Sequence, residues 1–516
     1  MKEFNVTGTC IPSQHYMVDI KDKLDKIERL VNKGKYFTIN RPRQYGKTTI
    51  MFLLAQRLKD DYLVLKMSFE GYDQEIYKDQ VAFIKEFLLT LIDKLEFLQE
   101  QELIDLIEEK IDTVTNMRML SRLITKLIKA ADKELVLMID EVDKSSNNQL
   151  FLDFIAMLRN KYLLRKEGQD YTFQSIILAG VHDIKNLKLK LEPGQERKFN
   201  SPWNIAVDFK VDLTFNSAEI STMLEEYKKD KDAVMDVEAI AQEIYYYTAG
   251  HPFLVSKIAK IIDEDLDKQA WRKKDITKAL KILLAEQNTN FSSLIKNIEN
   301  NEELYNLIHK IIMEGEEITY NSDNPLIKLG ELYGIFKNDK GIVKIHNKIY
   351  EQRIYNYMSS KLETSLEMTP YNFRENFVRN DGTLDFEKIL NKFQLFIKEQ
   401  YSNKDQDFLE RNGRLLFLAF IKPIINGKGF DFKEVQISEE KRLDVVITYL
   451  DQKYVVELKI WRGKKYHQQG IKQLAEYLDL QSVEQGYLIT FNFNQNKKYK
   501  KEVINYEDKE IYAVWV

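Results

Sequence analysis

Tyr36-Phe37-Thr38-Ile39-Asn40-Arg41-Pro42-Arg43-Gln44-Tyr45-Gly46-Lys47-Thr48-Thr49 is the stretch that decides the fold. It reads as a short apolar strand, a tight loop, and then Gly-Lys-Thr-Thr opening a helix whose apolar positions are Ile50, Phe52, Leu53, Leu54 and Leu58. A triphosphate requires that order. Loop N–H groups and the positive end of a helix surround the phosphates. Arg43, Gln44, Tyr45, Gly46, Lys47, Thr48 and Thr49 are therefore the expected cradle for ATP. Lys47 reaches the β- and γ-phosphates in such a loop, and the Thr48 hydroxyl ligates Mg²⁺. Arg41 stands where a phosphate loop usually has its first glycine, so the loop's entry is expected to avoid positive φ and take a different shape.

A second apolar run, Leu135-Val136-Leu137-Met138-Ile139, ends in Asp140-Glu141. Two carboxylates at the end of a buried strand supply the other half of such a site. Asp140 would hold Mg²⁺ through water, and Glu141 would polarise the attacking water. Between the two halves lie the strand Tyr62 to Met67 and a mostly helical stretch from about 76 to 130. Another apolar strand, Ser175-Ile176-Ile177-Leu178-Ala179, follows and leads to His182 and Asp183, at the end of the sheet where a γ-phosphate sensor would lie. His182 reads more readily as a loop histidine. Arg159, Arg197 and Asn200 also compete to complete the site, and the residues do not choose among them.

At 516 residues the chain has room for about three or four domains. Hydrophobic content of 44% with 31% charged residues describes a soluble globular protein with material for several cores. A net charge of −4 gives no global pull on nucleic acid, so such binding would need local patches. The single cysteine, Cys10, excludes an intrachain disulfide framework and a cysteine metal site. No signal-peptide pattern opens the chain, and no apolar stretch reaches the roughly 18 residues of a membrane span. The expected location is the cytoplasm, with no membrane partner.

Strand and helix stop alternating after Leu213. Asn216-Ser217-Ala218-Glu219 has the form of a capping box, and Thr248-Ala249-Gly250-His251-Pro252-Phe253 breaks a helical run and restarts it on proline. Two helices from about Glu302, then Ile335-Phe336-Lys337, a turn at Asn338-Asp339-Lys340-Gly341, and Ile342-Val343-Lys344-Ile345 describe a winged helix. Its second helix offers only Lys328 against Glu331, which favours a lid or docking role over DNA reading.

Met368-Thr369-Pro370 is the best linker. Beyond it, a helix from about Asp407 to Ile421 carries Glu410. A strand at Val435-Gln436-Ile437 turns into Arg442-Leu443-Asp444-Val445-Val446-Ile447, and Tyr454 to Ile460 carries Glu457 and Lys459. Glu457 and Lys459, two apart, share one side of a strand, while Val456 and Leu458 face the core. Asp444, Glu457 and Lys459 are expected near a common sheet edge. Two carboxylates and a lysine so arranged are the ingredients of phosphodiester hydrolysis with Mg²⁺ or Mn²⁺. Asp444, Glu457 and Glu410 would serve the metal and Lys459 the nucleophile. Gln473 and Tyr477, four apart on the next helix, would position water or phosphate. Lys464, Lys465, Lys497, Lys498, Lys500 and Lys501, interleaved with Trp461, Tyr466 and Tyr499, are either a phosphate-binding face or a solvated one.

These motifs resemble the bacterial AAA-like ATPases, of AAA+ and STAND-like type, that carry a C-terminal PD-(D/E)XK nuclease-superfamily domain. In that light Arg41 is familiar, since such proteins commonly have arginines in place of the first loop glycine. Asn200-Ser201-Pro202-Trp203-Asn204-Ile205-Ala206 also fits the resemblance, and Gly250-His251-Pro252 is similar to the GxP motif in the lid of signal-transducing ATPases. Asp444, Glu457, Lys459 and Gln473-Leu474-Ala475-Glu476-Tyr477 are similar to the RecB-type branch of the nuclease superfamily, with Glu410 matching its first-helix glutamate. Leu443 replaces the proline that names the motif.

The fold class so read is α/β: a P-loop parallel sheet over residues 1–214, a helical and winged-helix lid over 215–362, and a restriction-endonuclease-like α/β domain over 370–516. The resemblance implies an ATP-driven switch coupled to a metal-dependent nuclease. It also implies a nucleic-acid partner, DNA ahead of RNA, self-association through the ATPase domain, and a role in defence or nucleic-acid processing. The competing reading keeps the ATPase as a regulator and makes the last domain a catalytically silent binding module.

Overall fold

The computed structural model describes residues 2–73, 75–142, 148–180, 188–190, 196–198, 203, 205–266, 269–314, 316–365, 377–400, 413, 416–418, 420–421, 424–425, 429–434, 443–449, 452–481, 483–492 and 499–516. For some of these, including 188–190, 196–198, 429–434 and 443–444, the backbone alone is described. The chain divides into two compact units, Met1–Ser292 with Leu329–Ile335, and Ser293–Lys328 with Phe336–Val516.

The first unit is built on four parallel strands, β1 (Phe37–Asn40), β2 (Leu63–Ser68), β3 (Leu135–Asp140) and β4 (Ser175–Gly180), in the order β1-β4-β3-β2. Val207 adds a parallel bridge to Phe37 on the free side of β1. β3 and β4 are buried at every position, as strands covered on both faces should be. Helices α1 (Lys21–Asn32), α2 (Lys47–Leu58), α3 (Gln80–Leu98), α4 (Gln101–Glu108), α5 (Met117–Ala130) and α6 (Gln149–Lys166) belong to this layer. Asp79 caps α3 by accepting from the Val81 and Ala82 N–H groups, and Asn116 caps α5 through Met119 N–H. Phe69, Phe83, Phe87, Phe151 and Phe154 are fully buried in the resulting core. Each such ring contributes about 1.5–3 kcal/mol by leaving water. Lys161, also fully buried, is held by Thr125 at 2.6 Å and Asp170 at 2.8 Å, which ties α5 and α6 together.

After a short ribbon of β5 (Lys188–Lys190) and β6 (Glu196–Lys198), the unit becomes helical: α7 (Ser217–Lys231), α8 (Val237–Thr248), α9 (Pro252–Lys260) and α10 (Lys273–Ala285). The capping box at the start of α7 is present in both directions, Glu219 N–H to Asn216 Oδ1 and Asn216 N–H to Glu219 Oε2, each 2.8 Å. α8 ends at Ala249 and Gly250, both left-handed, before Pro252 starts α9.

The second unit begins in α11 (Thr289–Glu299), which crosses the division, and continues through α12 (Glu302–His309). α13 (Pro325–Leu332) also crosses the division. β7 (Phe336–Asp339) and β8 (Ile342–Ile345) pair as a hairpin, and Ile318 to Tyr320 bonds along β8, before α14 (Lys348–Ser365). α15 (Phe386–Gln400) then precedes a mixed six-stranded sheet, whose strands are β9 (Gly429–Glu434), β10 (Leu443–Tyr449), β11 (Gln452–Ile460), β12 (Gln485–Phe491), β13 (Lys501–Tyr506) and β14 (Lys509–Trp515). Their order is β13-β14-β12-β11-β10-β9. The crossover from β11 to its parallel neighbour β12 is α16 (Lys464–Gln481).

One expectation is corrected here. β11 is an interior strand with neighbours on both sides, so Glu457 and Lys459 lie inside the sheet instead of along its border. Val456 and Leu458 are buried as expected, but Glu457 and Lys459 are buried as well, because α16 covers their side of the strand. The strand expected at Val435–Ile437 and the helix portion carrying Glu410 lie outside the described residues.

Gly250 shows how tightly the first unit's helices are joined. Its φ is +72°, and a Cβ built on it would sit 1.8 Å from the Phe215 carbonyl oxygen, while Phe215 N–H donates to the Gly250 carbonyl at 2.8 Å. Gly250→Ala is expected to cost about 2 kcal/mol or more, through backbone strain and displacement of the Phe215 backbone. Thermal melting should show an earlier first transition, and an unchanged melting profile would refute this account of the joint.

Candidate functional site

Parallel strands leave all their C-terminal ends on one side, so the loop after β1 and the end of β3 meet there. The first side chain of that meeting is Thr48, whose hydroxyl donates to Asp140 Oδ2 at 2.8 Å. In the loop, Gln44 and Gly46 carry the positive φ angles, 61° and 74°, and Arg41 does not. Arg41 instead spends its guanidinium on carbonyls, Asn40 at 2.8 Å and Val211 at 2.9 Å, with its N–H bonded to Gly180. Lys47 is buried and donates to the Arg41 and Pro42 carbonyls, both at 2.9 Å. The N-terminus of α2 has no acidic residue in its first turn and no side-chain cap. A helix start with no acidic side chain in its first turn, a lysine folded over the loop and a hydroxyl–carboxylate pair together fit a triphosphate and a divalent ion.

Glu141 follows Asp140 with φ +55°, and its N–H donates to Asp140 Oδ1 at 3.0 Å. Arg43 is exposed, whereas Tyr45 is buried with its ring edge-on to the fully buried His251, centroids 4.5 Å apart. Thr49 turns away from the loop: its hydroxyl accepts from the Cys10 N–H at 3.1 Å. That contact borders a cavity of about 320 Å³ beside Gly46, walled by Gly8, Cys10 and Met17, by Leu213 and Phe215, and by Pro252 and Phe253. The cavity is mostly apolar, as a planar base requires.

In the second unit, Asp444 pairs directly with Glu457 across the β10–β11 ladder and with Glu434 across β9–β10. Directly opposed positions share a sheet face. The Glu457 and Lys459 side chains are 1% and 4% exposed and 3.3 Å apart. The Lys459 amine also meets Gln473 Oε1 at 3.4 Å, lies 5.1 Å from the Tyr466 ring centre, and occupies the space a Cβ on Gly470 would need, 2.3 Å away. Tyr477 is buried and packs in the core of this domain. Hard oxygen donors at adjacent register positions suit Mg²⁺ or Mn²⁺. Among the described residues no group of three or more His, Cys, Asp or Glu side chains converges. Glu410 lies outside the described residues, as do His182, Asp183, Asn200, Lys497, Lys498 and most of the 200–206 motif; Asp444 is described by its backbone alone. Arg159 is half-buried on α6.

Residues 8–356 match the family model of the AAA-like domain, two thirds of the chain. The chain belongs to the AAA-like domain family. Residues 429–503 match the PD-(D/E)XK nuclease superfamily, so this AAA-like chain ends in a nuclease-superfamily domain. A curated relative, the uncharacterized WD repeat-containing protein slr0143 of Synechocystis, is 25% identical over 245 residues, 46% of this chain and 19% of its own length. The match thus spans about a fifth of that relative. Among solved structures, the Walker-type ATPase paby2304 of Pyrococcus abyssi is 13% identical, covering 68% of this chain and 99% of its own, with a TM-score of 0.46. The Aeropyrum pernix ORC2 protein in its ADPNP–ADP complexes is 13% identical, covering 70% and 98%, with a TM-score of 0.37.

Three features of this AAA-like chain were not singled out from its sequence. Lys66 on β2 feels Asp140, which partly offsets the lowering of its pKa by burial; the signal was a lysine inside an otherwise apolar strand. Glu434 sits in register with Asp444 with no sequence signal, since only the β9 pairing reveals it. The cavity beside Cys10 is walled by residues far apart in the chain, so no local sequence pattern marks it. No described helix is long and apolar enough to cross a membrane. Burial pushes the Cys10 thiol pKa up, against weaker lowering by Thr49 and Asn5. At pH 8 iodoacetamide is therefore expected to alkylate Cys10 more slowly than a free thiol, because less thiolate is present. Mass spectrometry reads this cleanly on a one-cysteine chain, and a rate equal to the free thiol's would overturn the assignment.

Proposed function

We propose that this protein binds and hydrolyses ATP in its first unit and uses the nucleotide state to control a metal-dependent phosphodiesterase in its last domain, acting on nucleic acid. The observation that carries the reading is the 2.8 Å bond from Thr48 to Asp140, which joins the phosphate loop to the acidic strand end. Mg²⁺, when bound, would neutralise phosphate charge, held by the Thr48 hydroxyl and the Asp140 carboxylate. Lys47 leaves two loop carbonyls for the phosphates. The Glu141 carboxylate accepts the proton of the attacking water. The base takes the apolar cavity between Cys10 and Pro252-Phe253. This last point has a direct consequence: MgATP should slow Cys10 alkylation further, and Lys47→Ala should remove the protection along with most ATP affinity. Glu141→Gln should retain ATP binding and stall hydrolysis. Equal ATP affinity of wild type and Lys47→Ala in calorimetry would refute the site.

In the last domain, Asp444 and Glu457 would hold the divalent ion, with Glu410 as a further ligand. The ion supplies charge at the phosphate. Lys459 stabilises the negative charge that develops there, and Gln473 holds Lys459 in place. Gly470 is an unfavourable residue inside a helix by about 1 kcal/mol, and the Lys459 amine stands where its side chain would be. Gly470→Ala should therefore preserve folding and lower cleavage at least tenfold by moving the amine. Asp444→Ala should abolish metal-dependent cleavage, and both variants should keep ATP hydrolysis. Cleavage assays on DNA and RNA, with Mg²⁺ or Mn²⁺ and with or without ATP, test the reading; wild type inert under every condition would defeat it. One observation favours the second reading, a silent binding module: Glu457 and Lys459 are almost wholly shielded from solvent. The hairpin of β7 and β8, with α12 and α13, is read as the winged helix, in a docking role. The location in the cytoplasm, and self-association through the ATPase domain, belong to the same proposal.

A further inference from the structure

Around the start of α16, cations and aromatic rings form one connected row in the last domain, exposed at Arg462, Lys464, Lys465 and Lys500 and buried at Lys459 and Trp515. It begins at the carboxylate centre, where the Tyr466 ring lies between the Lys459 amine at 5.1 Å and the Arg462 guanidinium at 6.0 Å. Trp461 continues it, with its ring 5.5 Å from His467, which is in turn 5.0 Å from Trp515. Lys500 closes the row, its amine 4.0 Å above the Trp515 ring and its side chain half exposed. Arg462, Lys464 and Lys465 are exposed together just where α16 starts, with no acidic residue in the first turn. Three cations at the positive end of a helix repel it and one another, a local cost that an anion would offset. The whole chain is acidic, at −4, so this concentration of positive charge is local. Among the described residues two carboxylates pair with the row: Glu457, 3.3 Å from Lys459, and Glu502, 3.5 Å from Lys500.

We propose that this row binds single-stranded nucleic acid, with phosphates on Arg462, Lys464, Lys465 and Lys500 and unstacked bases against Trp461 and Tyr466. The proposal rests on the nuclease reading, for which it names the substrate class. Charge alone would serve a duplex equally well. The rings decide the matter, because a duplex keeps its base faces stacked on one another while a single strand presents them to aromatic side chains. Trp461 and Tyr466 are each half exposed between the cations, the alternation a strand with phosphates and splayed bases requires.

The test is fluorescence anisotropy with the full chain in EDTA, so that no strand is cut, using a labelled mixed-sequence 20-mer and its duplex over a series of salt concentrations. Wild type is expected to bind the single strand at least tenfold more tightly than the duplex. Replacing Arg462, Lys464 and Lys465 together by Gln should lower the slope of log K against log salt by about two, at roughly 0.7 per phosphate contact on a single strand. Trp461→Leu should weaken single-strand binding at least fivefold and leave duplex binding unchanged, while Trp461→Phe should stay near wild type. A duplex bound as tightly as the single strand, or a salt slope unaltered in the triple variant, overturns the proposal. Because the comparison of strands uses wild type alone, misfolding of a variant does not rescue it. Cleavage in Mg²⁺ separates the two readings. Single-strand preference without cleavage defeats the nuclease and keeps the row, whereas duplex cleavage without that preference defeats the row and keeps the nuclease.

Discussion

A hydroxyl and a carboxylate 2.8 Å apart, on Thr48 and Asp140, hold the functional part of the first unit together. Thr48 lies in the first turn of α2, after the loop that follows β1, and Asp140 ends β3, so their meeting requires that β1 and β3 run parallel and finish at the same level. β4 lies between those strands and sets that level through the bond from Arg41 N–H to the Gly180 carbonyl. The helices on the sheet's faces make such a parallel arrangement affordable, since the central strands β3 and β4 are buried at every position. A shift of one residue in the β3–β4 register would turn Asp140 to the opposite face and separate the pair.

Much of this was legible in the sequence, and for identifiable reasons. Gly46-Lys47-Thr48 and the run ending in Asp140 announce themselves because phosphate and metal chemistry demand fixed residue types at fixed places on a strand–loop–helix. The capping box at Asn216 was readable because both of its bonds are local. What escaped depends on contacts made at long range. The hydroxyl of Thr49 belongs by spacing with the loop, yet it serves the Cys10 backbone, and no local rule anticipates that. Burial of Glu457 and Lys459 also escaped, because alternation along a strand tells which residues share a side and not whether a helix covers that side.

In the last domain a buried ion pair replaces what a simpler sheet would fill with valine. Such pairs recover their desolvation cost only with good geometry and further partners. Lys459 has them, in Glu457, Gln473 and the Tyr466 face, and the absence of a side chain at Gly470 gives it room. Packing here is arranged around an amine rather than against it. The position of this amine therefore depends on a few neighbouring atoms, the Gly470 backbone among them.

Glu141 carries a related tension in its backbone. At φ +55° it occupies the left-handed region, which costs a residue with a Cβ roughly 1–2 kcal/mol and costs glycine nothing. A library of variants sorted only for thermal resistance should therefore enrich glycine or asparagine at this position and discard the carboxylate. On the role proposed for Glu141 in hydrolysis, glutamate is kept there only under a screen that demands turnover, which makes position 141 a place where the choice of screen decides what kind of protein comes out.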